Sequence, residues 1–500
     1  MKTFFYHLNL WQTRVRSFFS TETYLHAERF ALPHELVDFS SKKPDDFGLL
    51  LGIDTFGRHL QITQTTKRKR LGNLLLCAPT GGGKTTDFKH QLVHWKGSAI
   101  VNDNKGDLYA DTADPRREFS DVYSLDFQGG GNQFDPLLGK HTVDDFYAIA
   151  QLLLYEPNER EPSFTQRGME IVKMLFLAAR IAGIPVFVFL YEVAHLGING
   201  LAKRIHAISP QLATSFLDGE YSSTRDYRDA KYLVDSWASA RARLQPFLTE
   251  VVAKTLSRSD FRIADFLTGD RPITLYLQTP ESKLSALAPI RTLLWGTFIN
   301  ELNTTYDALY KKHGLAGCSR LQKILFLIDE AGVTPIPELY KHVATVNGRG
   351  MSFVLGVQSL SQLEMSGKAN AETILNNCTQ VFFKQKSLAT AKYVSELLGG
   401  RSAFSSSQSR HGEETSEGKH EQKVPLMTPQ EIRGMGETIL IFDGDLRYAI
   451  KAKRMPEFVK PALPLPLLPA PKLAPETLPT DVLTPRFPIP LYRVESESMV

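Results

Sequence analysis

Short, nearly all-apolar runs recur along this chain: Leu74–Cys77, Ala99–Val101, Ile273–Leu277, Ile324–Ile328, Phe353–Val357, Gln380–Phe383 and Thr438–Phe442. Runs without polar alternation predict strands covered on both faces, the signature of a mainly parallel central sheet. Between residues 141 and 250 the period changes. Phe146, Ile149, Leu152 and Leu153, and then Ile171, Leu175 and Ala178, fall at helical spacing. The pattern predicts an α/β domain interrupted by an all-α domain. The most apolar stretch, Ile171 to Glu192, is broken by Lys173, Arg180 and Pro185, so it reads as a core helix followed by a second short element rather than a membrane span.

The flanks read differently. Residues 1–45 mix Phe4, Phe5, Trp11 and Phe18 with Arg14 and Arg16, an amphipathic, aromatic segment suited to packing on protein or to lying at a membrane surface. Nothing there resembles a cleavable secretory signal. A first segment of the α/β domain is expected over 46–140 and a second over 251–455. Within the latter, the polar stretch 402–423 is expected to be a mobile loop. The tail, 456–500, holds 11 of the 28 prolines and reads as an extended spacer or docking peptide.

Composition narrows the class without deciding it. Five hundred residues with 42% hydrophobic and 22% charged positions exclude a disordered chain and a small disulfide scaffold. The 58 basic and 54 acidic residues leave only +4, so a polyanion partner would need a local patch. The run Lys67-Arg68-Lys69-Arg70 is the candidate patch, or simply a solvated face. Cys77, Cys318 and Cys378 lie far apart, which argues for a reduced compartment and against a cysteine metal site.

The chemistry concentrates in two motifs. Leu74-Leu75-Leu76-Cys77-Ala78-Pro79-Thr80-Gly81-Gly82-Gly83-Lys84-Thr85-Thr86 is an apolar strand, a glycine turn and a helix opening on Lys-Thr. It meets the pattern G-x-x-x-x-G-K-[ST] except that Ala78 replaces the first glycine. Residues Thr80 to Gly83 would present backbone amides to phosphate, Lys84 would reach the β- and γ-phosphates, Thr85 would ligate Mg²⁺, and Thr86 continues the same cradle. The second motif, Ile324 to Ile328 followed by Asp329-Glu330, ends a buried strand in two carboxylates. Asp329 would hold hydrated Mg²⁺ and Glu330 would polarise the attacking water. ATP and Mg²⁺ are therefore the expected ligands. Downstream, Gln358 ends another strand and is a candidate γ-phosphate sensor. Arg349, between Gly348 and Gly350, is either a surface arginine or an arginine finger reaching a neighbouring subunit.

Taken in order, several segments resemble the TraG/TraD family of type IV secretion coupling proteins over roughly residues 45 to 455. Besides the glycine loop they include Asp103-Asn104-Lys105-Gly106-Asp107-Leu108, Phe134-Asp135-Pro136-Leu137 where the family has Asn-Pro-Leu, Ala240 to Phe247, Gly348-Arg349-Gly350, and Gln358-Ser359-Leu360-Ser361-Gln362-Leu363. The resemblance implies a RecA-like P-loop NTPase domain interrupted by an all-α domain, and a homo-hexamer with ATP sites at subunit boundaries. On it Arg349 becomes the finger and Gln358 the sensor, and Lys105 approaches a nucleotide or a neighbour. It also implies an ATPase that delivers single-stranded DNA, with relaxase and relaxosome proteins, to a type IV secretion channel. The transmembrane helices usual in the family have no counterpart here. The expected location is cytoplasmic and peripheral at the inner membrane, by way of a membrane-anchoring partner or the aromatic N-terminus. Two other readings share these residues: a recruitment platform for relaxase or effector proteins, and a HerA/FtsK-like chromosomal DNA translocase.

Overall fold

The computed structural model describes residues 28–65, 68, 70–140, 142–154, 162–411 and 414–461. The aromatic segment up to residue 27, Lys67, Lys69 and the tail beyond 461 lie outside the described residues. Twelve strands form one sheet: β1 (Ser40–Ser41), β2 (Leu49–Ile53), β3 (His59–Ile62), β4 (Asn73–Cys77), β5 (Ser98–Asp103), β6 (Asp121–Asp126), β7 (Ile273–Gln278), β8 (Ile324–Ile328), β9 (Met351–Val357), β10 (Cys378–Phe382), β13 (Thr438–Phe442) and β14 (Ile450–Lys453). The remaining pair, β11 (Gly400–His411) and β12 (Glu414–Pro425), forms a separate hairpin. In space the sheet runs β1-β3-β2-β14-β13-β10-β4-β9-β8-β5-β7-β6. From β10 to β6 every neighbouring pair is parallel, whereas β13, β14, β2, β3 and β1 continue it antiparallel.

The apolar runs of the sequence supply the core of the parallel block. Along β4, Leu74 and Leu76 pack into one hydrophobic cluster while Leu75 and Cys77 pack into another, as a strand buried on both faces requires. Phe326 and Phe353 face each other in register across β8 and β9 and stack at 4.7 Å. The first helix, α1 (Lys84–His94), lays Phe88 and Leu92 on one face of the sheet. α2 (Asp107–Arg117) follows β5.

After β6 the described chain is helical: α3 (Val143–Leu154), α4 (Pro162–Ile181), α5 (Val186–Val193), α6 (Ile198–Ile208), α7 (Pro210–Leu217) and α8 (Lys231–Leu244). Their buried side chains, among them Phe146, Leu175, Phe187 and Trp237, are continuous with the sheet face that carries Leu75 and with α9 (Ala288–Cys318). α4 and α5 meet at a bend of 115°, and among the described residues no single helix is long and apolar enough to cross a membrane.

Two expectations need correction. The stretch 402–423 is not a loop but most of the β11–β12 hairpin, paired from Gly400↔Pro425 to His411↔Glu414. Its sequence is polar and nearly free of aliphatics, so no apolar run marks these strands, which pair with each other outside the twelve-stranded sheet. In the basic run, Arg68 is committed to ion pairs: its Nη2 meets Asp443, and its Nε donates to Asp445 at 2.7 Å. It is not a free contact for phosphate.

Asp135, where the resembled family has Asn, is buried at the start of the helical stretch. It accepts from the Leu137 amide at 2.9 Å and lies 3.5 Å from Arg180 Nη2 on α4. Burial raises its carboxyl from 3.8 to about 6, outweighing Arg180 and the Leu137 amide, which act to lower it. The folded chain therefore binds this proton more tightly than the unfolded one. The contribution of Asp135 to stability is fullest below its unfolded value and is lost as pH rises through the folded value. In thermal melts the wild type should lose ground to Asp135→Asn as pH climbs from about 4 to about 7, and the difference should then level off. A pH-independent difference would contradict the burial argument.

Candidate active site

β4, β9 and β8 are adjacent and parallel, so their C-terminal ends open on one edge of the sheet, where α/β folds bind ligands. The glycine turn follows β4, Gln358 follows β9, and Asp329-Glu330 follows β8. Residues far apart in the chain meet there because one strand spacing is only about 4.8 Å.

The glycine turn needs its glycines. Gly81 and Gly83 hold φ of 77° and 104°, left-handed backbone that side chains disfavour. A Cβ on Gly82 would lie 2.8 Å from the Pro79 carbonyl. Lys84, Thr85 and Thr86 form the first turn of α1, whose unsatisfied amides suit an anion.

Lys84 is the centre of the site. It is only 7% exposed, and its Nζ lies 2.9 Å from Asp329 Oδ1 and 3.1 Å from Glu330 Oε1. Gln358 Nε2 donates to Glu330 Oε1 at 2.7 Å, and Thr80 Oγ1 donates to Gln358 Oε1 at 3.3 Å. Gln362, quoted in the sequence motif without a role, donates from Nε2 to Glu330 Oε2 at 3.4 Å. Its Oε1 accepts from the Gln358 amide at 2.7 Å. Burial works to raise the Glu330 carboxyl, but the Gln358 hydrogen bond and the Lys84 charge prevail and hold it below the ordinary range. Glu330 is thus an ionised acceptor, the form a general base requires.

Two carboxylates share one ammonium here, leaving one negative charge uncompensated. That donor set of hard oxygens facing a phosphate cradle fits a hydrated Mg²⁺.

Arg349 is not brought to this edge. It precedes β9, whose seven residues separate it from Gln358 by roughly 20 Å. There its Nε and Nη2 bind Asp307 at 3.0 and 3.1 Å. Lys105 lies 3.4 Å from Glu281 on the surface.

Other contributors went unrecognised in the sequence. Lys386, after β10, donates to the Thr80 carbonyl at 3.4 Å, and Gln385 donates to the Cys77 carbonyl at 2.8 Å. Arg454, at the end of β14, comes so close to the loop that a Cβ on Gly83 would sit 2.8 Å from its Nη1. The loop is therefore roofed from the antiparallel side of the sheet. Only the basic side chains after Phe383 gave a local hint; Arg454 gave none.

A sequence model of the family described as type IV secretory system conjugative DNA transfer matches residues 54–474. The chain belongs to that family. It is 25% identical over 399 residues to the conjugal transfer protein TraG of Escherichia coli, a match covering 72% of this chain and 61% of that one. To the protein VirD4 of Agrobacterium fabrum (strain C58 / ATCC 33970) it is 24% identical over 425 residues, covering 77% and 58%. The chain thus spans about six-tenths of the length of these curated relatives. Its fold is similar to that of the bacterial conjugative coupling protein TrwBdeltaN70 in its unbound monoclinic form (TM-score 0.62, 17% identity, 88% of this chain and 96% of that one). TrwB in complex with the ATP analogue ADPNP gives a TM-score of 0.59 at 16% identity, covering 88% of this chain and 98% of that one. The α/β architecture with a mainly parallel central sheet and helices, read from the strand pattern and from the family resemblance, stands.

The site also depends on a missing side chain on β9. A Cβ at Gly356 would lie 2.5 Å from Phe88 Cζ and 2.8 Å from Lys84 Cδ. Gly356→Ala must shift both the core ring and the lysine. We expect a stability loss of about 1–3 kcal/mol and weaker binding of magnesium nucleotide, measured by chemical denaturation and calorimetry. Wild-type affinity in a destabilised Gly356→Ala protein would show that the lysine position is not set by this contact.

Proposed function

We propose that this chain is an ATP-hydrolysing motor of conjugative DNA transfer, passing single-stranded DNA from a relaxosome to a type IV secretion channel. The observation that carries the reading is the Lys84–Asp329–Glu330 cluster braced by Gln358. A protein that only held nucleotide would not need an ionised, hydrogen-bonded acid beside the phosphate lysine. Family membership directs the reading to DNA transfer. The TrwB complexes with ADPNP and with ADP and Mg²⁺ concern that protein and support the same ligands here.

In this mechanism the amides of Thr80 to Lys84 and the start of α1 bind the triphosphate, and Thr86 borders the cradle. Lys84 turns from the acids to the phosphate oxygens. Glu330 accepts a proton from the attacking water, and Gln358 holds the Glu330 carboxylate and senses the γ-phosphate. Thr85 and Asp329 would hold Mg²⁺, which would neutralise charge on the phosphates. Arg349 faces away from its own site, which supports a role at the site of an adjacent copy in a homo-hexamer. Pulling on DNA would use phosphate contacts indifferent to sequence. A ring of this kind would work at the cytoplasmic face of the inner membrane, docked by an anchoring partner.

Turnover should be magnesium-dependent and stimulated by single-stranded DNA. Lys84→Ala should lose nucleotide affinity, whereas Glu330→Gln should bind nucleotide normally and lose about 100-fold or more in kcat. A Glu330→Gln protein that turns over normally, or a wild type that binds no magnesium nucleotide, would refute the proposal. Subunit sharing has its own test. Lys84→Ala and Arg349→Ala should each be inactive alone, and mixing them should recover activity, because mixed rings contain boundaries with both residues intact. No recovery from a mixture shown to co-assemble would place Arg349 outside catalysis.

A further inference from the structure

Behind the acid pair lies a buried cluster that the site chemistry does not use. Arg291, on the first turn of α9, is 3% exposed, and among the described residues no carboxylate pairs with it. Its Nη2 donates to Asn102 Oδ1 at 3.1 Å, Asn104 Oδ1 at 3.3 Å and Thr334 Oγ1 at 3.2 Å. Its Nε is buried without a partner. Burial draws the guanidinium down to about 10. A buried cation held only by neutral oxygens is costly.

The cluster ends on the acids' backbone. Asn102 Nδ2 donates to the Asp329 carbonyl at 2.8 Å, and the Thr334 hydroxyl donates to the carbonyls of Glu330 at 3.0 Å and Asp329 at 3.3 Å. Glu330 itself holds a φ of 60°, a left-handed conformation unfavourable for a residue with a side chain. Such a conformation persists where its surroundings over-determine it.

Arginine can only donate. An Nη2 aimed at Asn102 Oδ1 turns the amide so that Nδ2 faces Asp329, and the same nitrogen against Thr334 Oγ1 sends the hydroxyl proton toward Glu330 and Asp329. With a neutral or apolar side chain at 291, the amide and hydroxyl would lose this donor and keep only the weaker contacts within the cluster, Asn102 Nδ2 donating to Asn104 Oδ1 at 3.2 Å and to Thr334 Oγ1 at 3.3 Å. We propose that Arg291 is a positioning residue for hydrolysis, orienting Asn102 and Thr334 so that they clamp the Asp329–Glu330 turn in its left-handed form.

This inference rests on the hydrolytic reading of the site. The full-length chain is the material, as wild type, Arg291→Met, Thr334→Val and Thr334→Ser, each checked for native circular dichroism. Arg291→Met and Thr334→Val should bind magnesium ADPNP within about 3-fold of wild type and lose about 30-fold or more in kcat for ATP. Thr334→Ser, which keeps the hydroxyl, should retain kcat within about 3-fold. A merely structural role would move affinity and turnover together and would not be rescued by serine. Should Arg291→Met not fold, the two Thr334 variants decide. Turnover near wild type in Thr334→Val, or parallel loss of binding and turnover in both apolar variants, overturns the inference. A wild type that binds ADPNP but hydrolyses nothing overturns the hydrolytic reading instead, before any variant is compared.

Discussion

One contact organises this molecule: the Lys84 ammonium set between the carboxylates of Asp329 and Glu330. It joins the loop after β4 to the end of β8, across the intervening strand β9. The three groups are mostly withdrawn from water, where an unpaired charge is expensive, so each acid depends on the lysine and the lysine on both acids. A site built this way offers its lysine to a triphosphate. One cation cannot satisfy two anions fully, and any phosphate entering the cradle competes for it while leaving the acids in want of another positive charge. In the proposed reaction, the need for a divalent cation follows from the charge count of Lys84, Asp329 and Glu330.

Strand order makes that contact possible, and strand order was partly legible. Parallel strands buried on both faces read as unbroken apolar runs, so β4, β8, β9 and β13 stand out. β6, at the sheet edge, mixes Tyr123 and Ser124 with Val122 and Leu125 and gives a weaker signal. The β11–β12 hairpin gives none, since its sequence is polar and nearly free of aliphatics. Sequence motifs placed Lys84, Asp329, Glu330 and Gln358 at strand ends without saying which ends would be neighbours; the order β4-β9-β8 supplies that.

Long-range pairings stayed hidden. Arg68 looks like part of a basic patch, but its partners Asp443 and Asp445 lie some 375 residues away in the chain. Arg454 and Gly83 lie far apart in the chain, and nothing local couples them. Arg349 is different: its distance from Gln358 could have been foreseen, because a seven-residue strand between them forces the two to opposite edges. Its pairing with Asp307 is then the expected resting state of a cation whose proposed target lies on another copy.

Two buried arginines show how geometry separates scaffold from site. Arg116 is fully buried, and its Nε, Nη1 and Nη2 donate to Thr274 Oγ1 and to the carbonyls of Leu92, Trp95 and Gly97 at 2.5–2.7 Å. Four good acceptors, mostly backbone, make it a rivet between α1, α2 and the sheet, and nothing about it points toward the nucleotide edge. Arg291 spreads one nitrogen over three side-chain oxygens at 3.1–3.3 Å and leaves Nε unpartnered. It is poorly paid as a stabiliser, since the same volume filled by an apolar side chain would avoid the desolvation. What it does supply is direction, because a group that cannot accept fixes the polarity of every amide and hydroxyl it touches. That polarity runs through Asn102 and Thr334 into the backbone of the two acids, at the left-handed Glu330 whose carboxylate meets the lysine.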